Sequence, residues 1–187
     1  MEKPLIVFEG VDNSGKTTIS KVLVERYNSF IWRKEPTFST EVADLLNSPD
    51  SNLNDAQREV LFLRSRLNQQ SVYRNNACLL DRYLWTGLAY AKAFSPSIYT
   101  FCQELYQDYH IFKKPTVTIF METPLETCQS REPSLSMERL EKIRQAYRDT
   151  EKYVNTPIEY IDGTKSIDEC VAACEEILRK YARNYIV

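Results

Sequence analysis

The residues with the clearest chemical purpose are Gly10-Val-Asp-Asn-Ser-Gly15-Lys16-Thr17. They have the G-x-x-x-x-G-K-[ST] spacing of a phosphate-binding loop. Glycine lets the backbone curl until successive N–H groups converge on one anion, and a helix starting there adds the positive end of its dipole. Gly10, Asn13, Ser14, Gly15 and Thr18 would form the cradle for ATP. Lys16 would reach its β- and γ-phosphates, and the Thr17 hydroxyl would ligate Mg2+. The chain has only four glycines and two stand in this loop, a concentration that reflects backbone demand. A second charged pair, Asp81-Arg82, directly follows an apolar run. Asp81 would hold Mg2+ through water, and Arg82 would bridge a donor and an acceptor phosphate. Alone, the loop implies a user of nucleoside triphosphates and leaves the reaction open.

These side chains need a frame that aims them. Leu5–Phe8, Ala77–Leu80, Val117–Met121 and Ile158–Ile161 are short apolar runs suited to buried strands, and Ser29–Arg33 is a weaker fifth. Helical spacing lies between them. Ile19, Val22, Leu23 and Tyr27 follow the loop, and Ile167, Cys170, Val171, Cys174, Ile177, Leu178 and Tyr181 recur at three- and four-residue steps, with Ser166 as a cap. Strands alternating with helices predict a three-layer α/β/α domain over residues 1–187, with a five-stranded parallel sheet of the P-loop NTPase type. Such sheets bind ligands at the carboxyl ends of their strands, where both charged motifs fall.

Composition narrows the partners. Net charge is −2 and Lys and Arg form no block, which argues against a nucleic-acid or membrane surface. The run Leu5–Phe8 is too short for a signal-peptide core. Five scattered cysteines are an odd number and read as reduced thiols, so the expected location is cytoplasmic. Cys170 and Cys174 have a spacing that suits a metal pair, but their place on an apolar helix face favours packing. His110, among Tyr106, Tyr109 and Phe112, also reads as packing, because nothing nearby orients it for catalysis.

Along nearly its whole length the chain resembles the thymidylate kinase family. The matching pieces, in order, are the loop with Asp12, Arg33-Lys-Glu35-Pro36, Leu61-Phe62-Leu-Arg-Ser-Arg66, the run from Asp81-Arg82-Tyr83 to Tyr90, and Ile161-Asp-Gly-Thr-Lys-Ser166. The resemblance implies transfer of phosphate from ATP, with Mg2+, to a deoxynucleoside monophosphate, dTMP or dUMP. It implies that Phe62 stacks on the pyrimidine and Arg66 contacts its edge; four residues apart, they share a helix face. Asp12 would receive the sugar 3′-hydroxyl, Tyr90 would lie near C2′, and Glu35 with Pro36, often after a cis bond, would shape the monophosphate pocket. Thr86, Gly87 and Gln69 are assigned to the same pocket, and Gly163 and Thr164 to the ATP side. A homodimer is implied as well. The departures are instructive. Position 13 is Asn, so the phosphate-binding arginine must come from a short lid over residues 131–139. Arg131 is the choice, and Arg139 would stack on adenine or pair with Glu138 or Glu141. Gly87 stands where some members carry a base-reading Asn.

Two other readings stay open. A deoxynucleoside kinase would use Glu35 as the base for a 5′-hydroxyl, but Asp81-Arg82-Tyr83 differs from the Glu-Arg-Ser of those enzymes. A non-catalytic nucleotide binder would not need Lys16, Thr17, Arg82 and Arg131 together.

Overall fold

The computed structural model describes residues 2–37, 40–48 and 52–186. The order is β1 (Leu5–Glu9), α1 (Lys16–Arg26), β2 (Ile31–Lys34), α2 (Thr40–Asn47), α3 (Asp55–Asn68), α4 (Gln70–Asn75) and β3 (Cys78–Asp81). Then come α5 (Leu84–Phe94), α6 (Tyr99–Tyr106), β4 (Val117–Glu122), α7 (Leu125–Arg131), α8 (Met137–Thr150), β5 (Ile158–Asp162) and α9 (Ile167–Tyr181). The five strands are parallel, in the order β2-β3-β1-β4-β5.

The apolar runs become strands because this sheet is covered on both faces, where unbroken hydrophobic sequence is stable. β1 is central and buried at every position. Alternation divides its side chains. Ile6 and Phe8 pack with Ile19 and Leu23 of α1 and with Cys170, Val171, Cys174 and Leu178 of α9. Leu5 and Val7 face Leu63 of α3, Tyr73 of α4 and Leu84 and Leu88 of α5. Trp85 and Ala89 of α5 meet Leu140, Ile143 and Tyr147 of α8 in a third cluster. Helices thus lie on both faces of the sheet, as the sequence predicts. Cys170 and Cys174 are core residues of the α9 side.

Several boundaries move. β1, β3 and β4 each run on to an acidic residue, Glu9, Asp81 and Glu122. Apolar runs miss a polar last residue even where, as at Glu9 and Asp81, it is buried. β2 starts at Ile31, whose N–H meets Ala77 O at 2.9 Å, so Ser29 and Phe30 belong to the preceding turn. His110 is exposed in a turn, its N–H on Asp108 and its carbonyl accepting from Arg74, while Tyr106 and Phe112 take the buried places. Packing is therefore not its role. Ser166 caps α9 in a reciprocal box with Glu169, and Asn54 does the same for α3 with Gln57. The Glu35–Pro36 peptide is cis. No helix among the described residues is long and apolar enough to cross a membrane.

Candidate active site

The phosphate loop leaves β1 at Gly10, with φ +138°. A Cβ there would stand 2.8 Å from Met121 O and 2.9 Å from Ser14 Oγ. Gly15, with φ +102°, opens α1. Both need glycine for conformational reasons, and Gly10 for space as well. Lys16 is buried and arches back over the loop, its ammonium donating to Val11 O and to Ser14 Oγ at 3.0 Å. Burial, helped by Arg82, pulls its pKa down to about 7 against the opposing carboxylates of Asp81, Asp12 and Glu9. Thr123, in the turn after β4, donates to Ser14 O at 2.9 Å and braces the loop from outside.

The end of β3 supplies the second part. The Thr17 hydroxyl donates to Asp81 Oδ2, and Asp81 Oδ1 is buried without a hydrogen-bond partner. A hydroxyl beside a carboxylate with a spare buried oxygen suits Mg2+, a hard cation held by one or two protein oxygens plus substrate phosphates. Arg82 follows with φ +75°, a conformation that costs of order 1–3 kcal/mol for a non-glycine residue and is concentrated at functional sites. Its guanidinium pairs with Asp12 and lies over the Tyr90 ring, 5.6 Å from the centroid, while Nη1 is buried without a partner. The Tyr90 hydroxyl donates to the other Asp12 oxygen at 2.7 Å. Burial alone would raise the Asp12 pKa, but Arg82, then the Tyr90 bond and Lys16, bring it below the usual range. Asp12 is therefore an anion joining arginine to tyrosine.

Asp12 through Thr18, Asp81, Arg82, Arg131 and Gly163 line one cavity of about 460 Å3. Arg131, the last residue of α7, donates to Asn13 O at 2.9 Å. The segment Glu132–Ser136 joins α7 to α8. The sequence reading missed Lys34, Met121, Lys165, Ile167 and Cys170 in this wall. Lys165 and Cys170 were within sight, one two positions after Gly163 and the other noted only for packing.

Four of the assigned residues have partners of their own in the structure. Arg139 does not line this cavity: its guanidinium lies 4.6 Å from the Phe94 ring centroid, against α5. Thr164 spends its N–H and hydroxyl on Asp162 Oδ1, at 2.9 and 2.6 Å, shaping a turn. Thr86 is buried, with its hydroxyl on Glu9 and against Tyr147 Oη at 2.7 Å. Gly87 is small because Arg66 needs the room: a Cβ would stand 2.7 Å from Arg66 Nη1 and 2.8 Å from Tyr106 Cε2.

Arg66 is fully buried, with Nη1 on Glu59 at 3.1 Å and Tyr106 Oη at 2.6 Å, and its Nε is without a partner. Phe62 is half-buried on the same helix. That helix ends at Asn68, and Gln69 is its C-cap, still in the right-handed helical region. The neighbouring Gln70 is the buried amide, bonded to Arg66 O, Tyr83 Oη and Lys113 N. Glu35, ahead of the cis-proline, accepts from the Tyr73 hydroxyl, and its Oε2 is buried without a partner. Burial raises its pKa to about 7, with Arg66 and Ser65 opposing.

Comparison with known proteins agrees with this geometry. The family model "Thymidylate kinase" matches residues 8–174. A probable thymidylate kinase of Saccharolobus solfataricus is 29% identical over 94% of this chain and 97% of its own length. The solved structure of thymidylate kinase from Candida albicans has a TM-score of 0.79 at 23% identity, covering 96% of this chain and 92% of that one. Deoxyadenosine kinase from M. mycoides shares the fold, with a TM-score of 0.73 at 16% identity over 94% and 98% of the two chains. With the family model spanning the phosphate loop, the Asp81-Arg82 turn and the start of α9, the chain belongs to the thymidylate kinase family and is a nucleoside monophosphate kinase.

Proposed function

We propose that the chain transfers the γ-phosphoryl group of ATP to the phosphate of a deoxypyrimidine nucleoside monophosphate, dTMP or dUMP. The observation that carries this reading is the step from Asp81 to Arg82. Asp81 engages Thr17 in the phosphate loop, and Arg82 engages Asp12 beside Tyr90. One turn ties the donor side to the acceptor side, and positioning of this kind is most of what phosphoryl transfer requires.

In this reading Lys16 exchanges Val11 O and Ser14 Oγ for phosphate oxygens, and the partnerless Nη1 of Arg82 spans the two substrates. Arg131 adds the charge that Asn13 lacks. Asp12 receives the 3′-hydroxyl, Tyr90 crowds a 2′-hydroxyl, and Phe62 and Arg66 address the base. Thr17 and Asp81 would hold Mg2+, which when bound neutralises charge on the β- and γ-phosphate oxygens. The acceptor oxygen is already ionised near neutral pH, so no general base is needed. A homodimer in the cytoplasm, implied by the resemblance, remains part of the proposal; sedimentation checks the assembly.

One observation favours a nucleoside kinase instead: the buried Glu35, with a pKa near 7 and a free oxygen, would suit a base. Its partners Tyr73, Ser65 and Arg66 lie on α3 and α4, and none belongs to the phosphate loop. The test is an assay of dTMP, dUMP and thymidine with ATP–Mg2+, using wild type and Glu35→Gln. The proposal expects turnover of a monophosphate, none of thymidine, and a Glu35→Gln loss well below the roughly 10²–10⁴-fold of a missing base. Phosphorylation of thymidine that Glu35→Gln abolishes would establish the alternative, and ATP binding with no acceptor turned over would leave only a binder.

A further inference from the structure

Glu9 is the last residue of β1 and adjoins the phosphate loop, yet it does not line the cavity. It is 1% exposed. Its carboxylate is filled by donors from two distant helices. Oε1 accepts the N–H groups of Tyr83 at 3.0 Å and Thr86 at 3.2 Å. Oε2 accepts the hydroxyls of Thr86 and Tyr147, the latter at 3.1 Å. Tyr83 is the N-cap of α5 and Thr86 lies in its first turn, so the carboxylate satisfies amides that have no acceptor within the helix. Tyr147 comes from α8, the helix that follows the lid segment. A buried carboxylate is tolerated only where its oxygens are satisfied, and four donors do that here.

Arg82 lies between Asp81, fixed in the sheet, and Tyr83, fixed on Glu9. Its own N–H bonds to Phe8 O at 2.9 Å. A left-handed conformation on a long side chain persists only where the surroundings over-determine it, and Phe8 O and Glu9 Oε1 grip the two successive amides that define it. We propose that Glu9 is the positioning residue for Arg82: by holding the Tyr83 amide and the first turn of α5, it fixes the guanidinium against Asp12 at the point of phosphate transfer. The plainer account is a helix cap that contributes stability alone. The two accounts differ in whether the loss caused by changing Glu9 passes through Arg82.

The inference rests on the proposed phosphotransfer role of Arg82. The experiment compares Glu9→Gln, Arg82→Ala and the double variant for kcat, for KM of ATP and dTMP, and for thermal midpoint. Glutamine keeps the shape but turns an N–H2 group toward donors. Glu9→Gln should lower kcat by roughly 10²-fold, the scale of a misplaced catalytic group, with KM for ATP near wild type. In the Arg82→Ala background the same change should cost less than about twofold, because the residue it positions is gone. An equal kcat loss in both backgrounds, or a lower midpoint with normal kcat, overturns the positioning role. If Arg82→Ala itself keeps wild-type kcat, the phosphotransfer reading of Arg82 fails, a result distinct from an indifferent Glu9. Should Glu9→Gln not fold, Thr86→Val and Thr86→Ser decide the matter. Valine removes the hydroxyl on Oε2 and should depress kcat, and serine should restore it; wild-type kcat in Thr86→Val overturns the inference.

Discussion

Arg131 and Arg139, eight positions apart in the chain, finish on different walls. Arg131 reaches the phosphate loop through Asn13 O, and Arg139 rests on the Phe94 ring. Asn13 supplies no charge of its own, so Arg131→Ala should lower kcat, by up to roughly 10³-fold if it acts as arginine fingers do. Arg139→Ala should cost far less, its effect passing through Phe94, which packs against Tyr90. Steady-state kinetics of the two variants checks this, and a loss under about threefold in Arg131→Ala would reverse the assignment. Motif residues such as Lys16 and Thr17 were legible because the loop that carries them is written in adjacent letters. Glu9 was not. Its Thr86 and Tyr147 partners are 77 and 138 residues away, and a lone acidic residue after an apolar run looks like the start of a solvated loop. The cause of Gly87 was hidden for a related reason: Arg66, which needs the room, arrives from α3.

At the scale of elements, the turn after β4 and the turn after β5 meet at two residues. A Cβ on Gly163 would stand 1.8 Å from Thr123 Oγ1 and 3.0 Å from its Cβ. Gly163→Ala must therefore push the two turns apart, and overpacking of this kind costs about 1–3 kcal/mol. The expected result is a lower urea midpoint together with weaker ATP binding, since Thr123 also holds Ser14. Adding Thr123→Ala removes the closest atom and should recover part of the stability but not the binding. Wild-type stability in Gly163→Ala would mean that the turns are not in contact. Apolar runs revealed four strands well because both faces of this sheet are covered. β2 was blurred because its apolar part is only Ile31 and Trp32, followed by exposed Arg33 and Lys34. α9 was legible at its start, where Ser166 and Glu169 form a cap written in four consecutive residues.

For the molecule as a whole, buried ionisable groups make stability depend on pH. Glu35 has an ordinary pKa of 4.5 and, inside the fold, one of about 7, with burial as the main cause. Below 4.5 both folded and unfolded chains carry the proton, and the contribution of Glu35 is complete. As pH rises through about 7 the folded chain must ionise a buried group, so that contribution is lost. Glu35→Gln should therefore be relatively more stable at pH 8 than at pH 5, by of order 1–3 kcal/mol against wild type. Urea melts at the two values check this, and parallel curves would show that Glu35 is not buried as an acid. Thr123 has one more consequence. It holds Ser14 in the phosphate loop and touches Gly163 ahead of α9, so any nucleotide that quiets the loop also restrains a turn some 150 positions later. Amide deuterium uptake should then slow at Gly163–Glu169 as well as at the loop when nucleotide is added, and Thr123→Val should confine the protection to the loop.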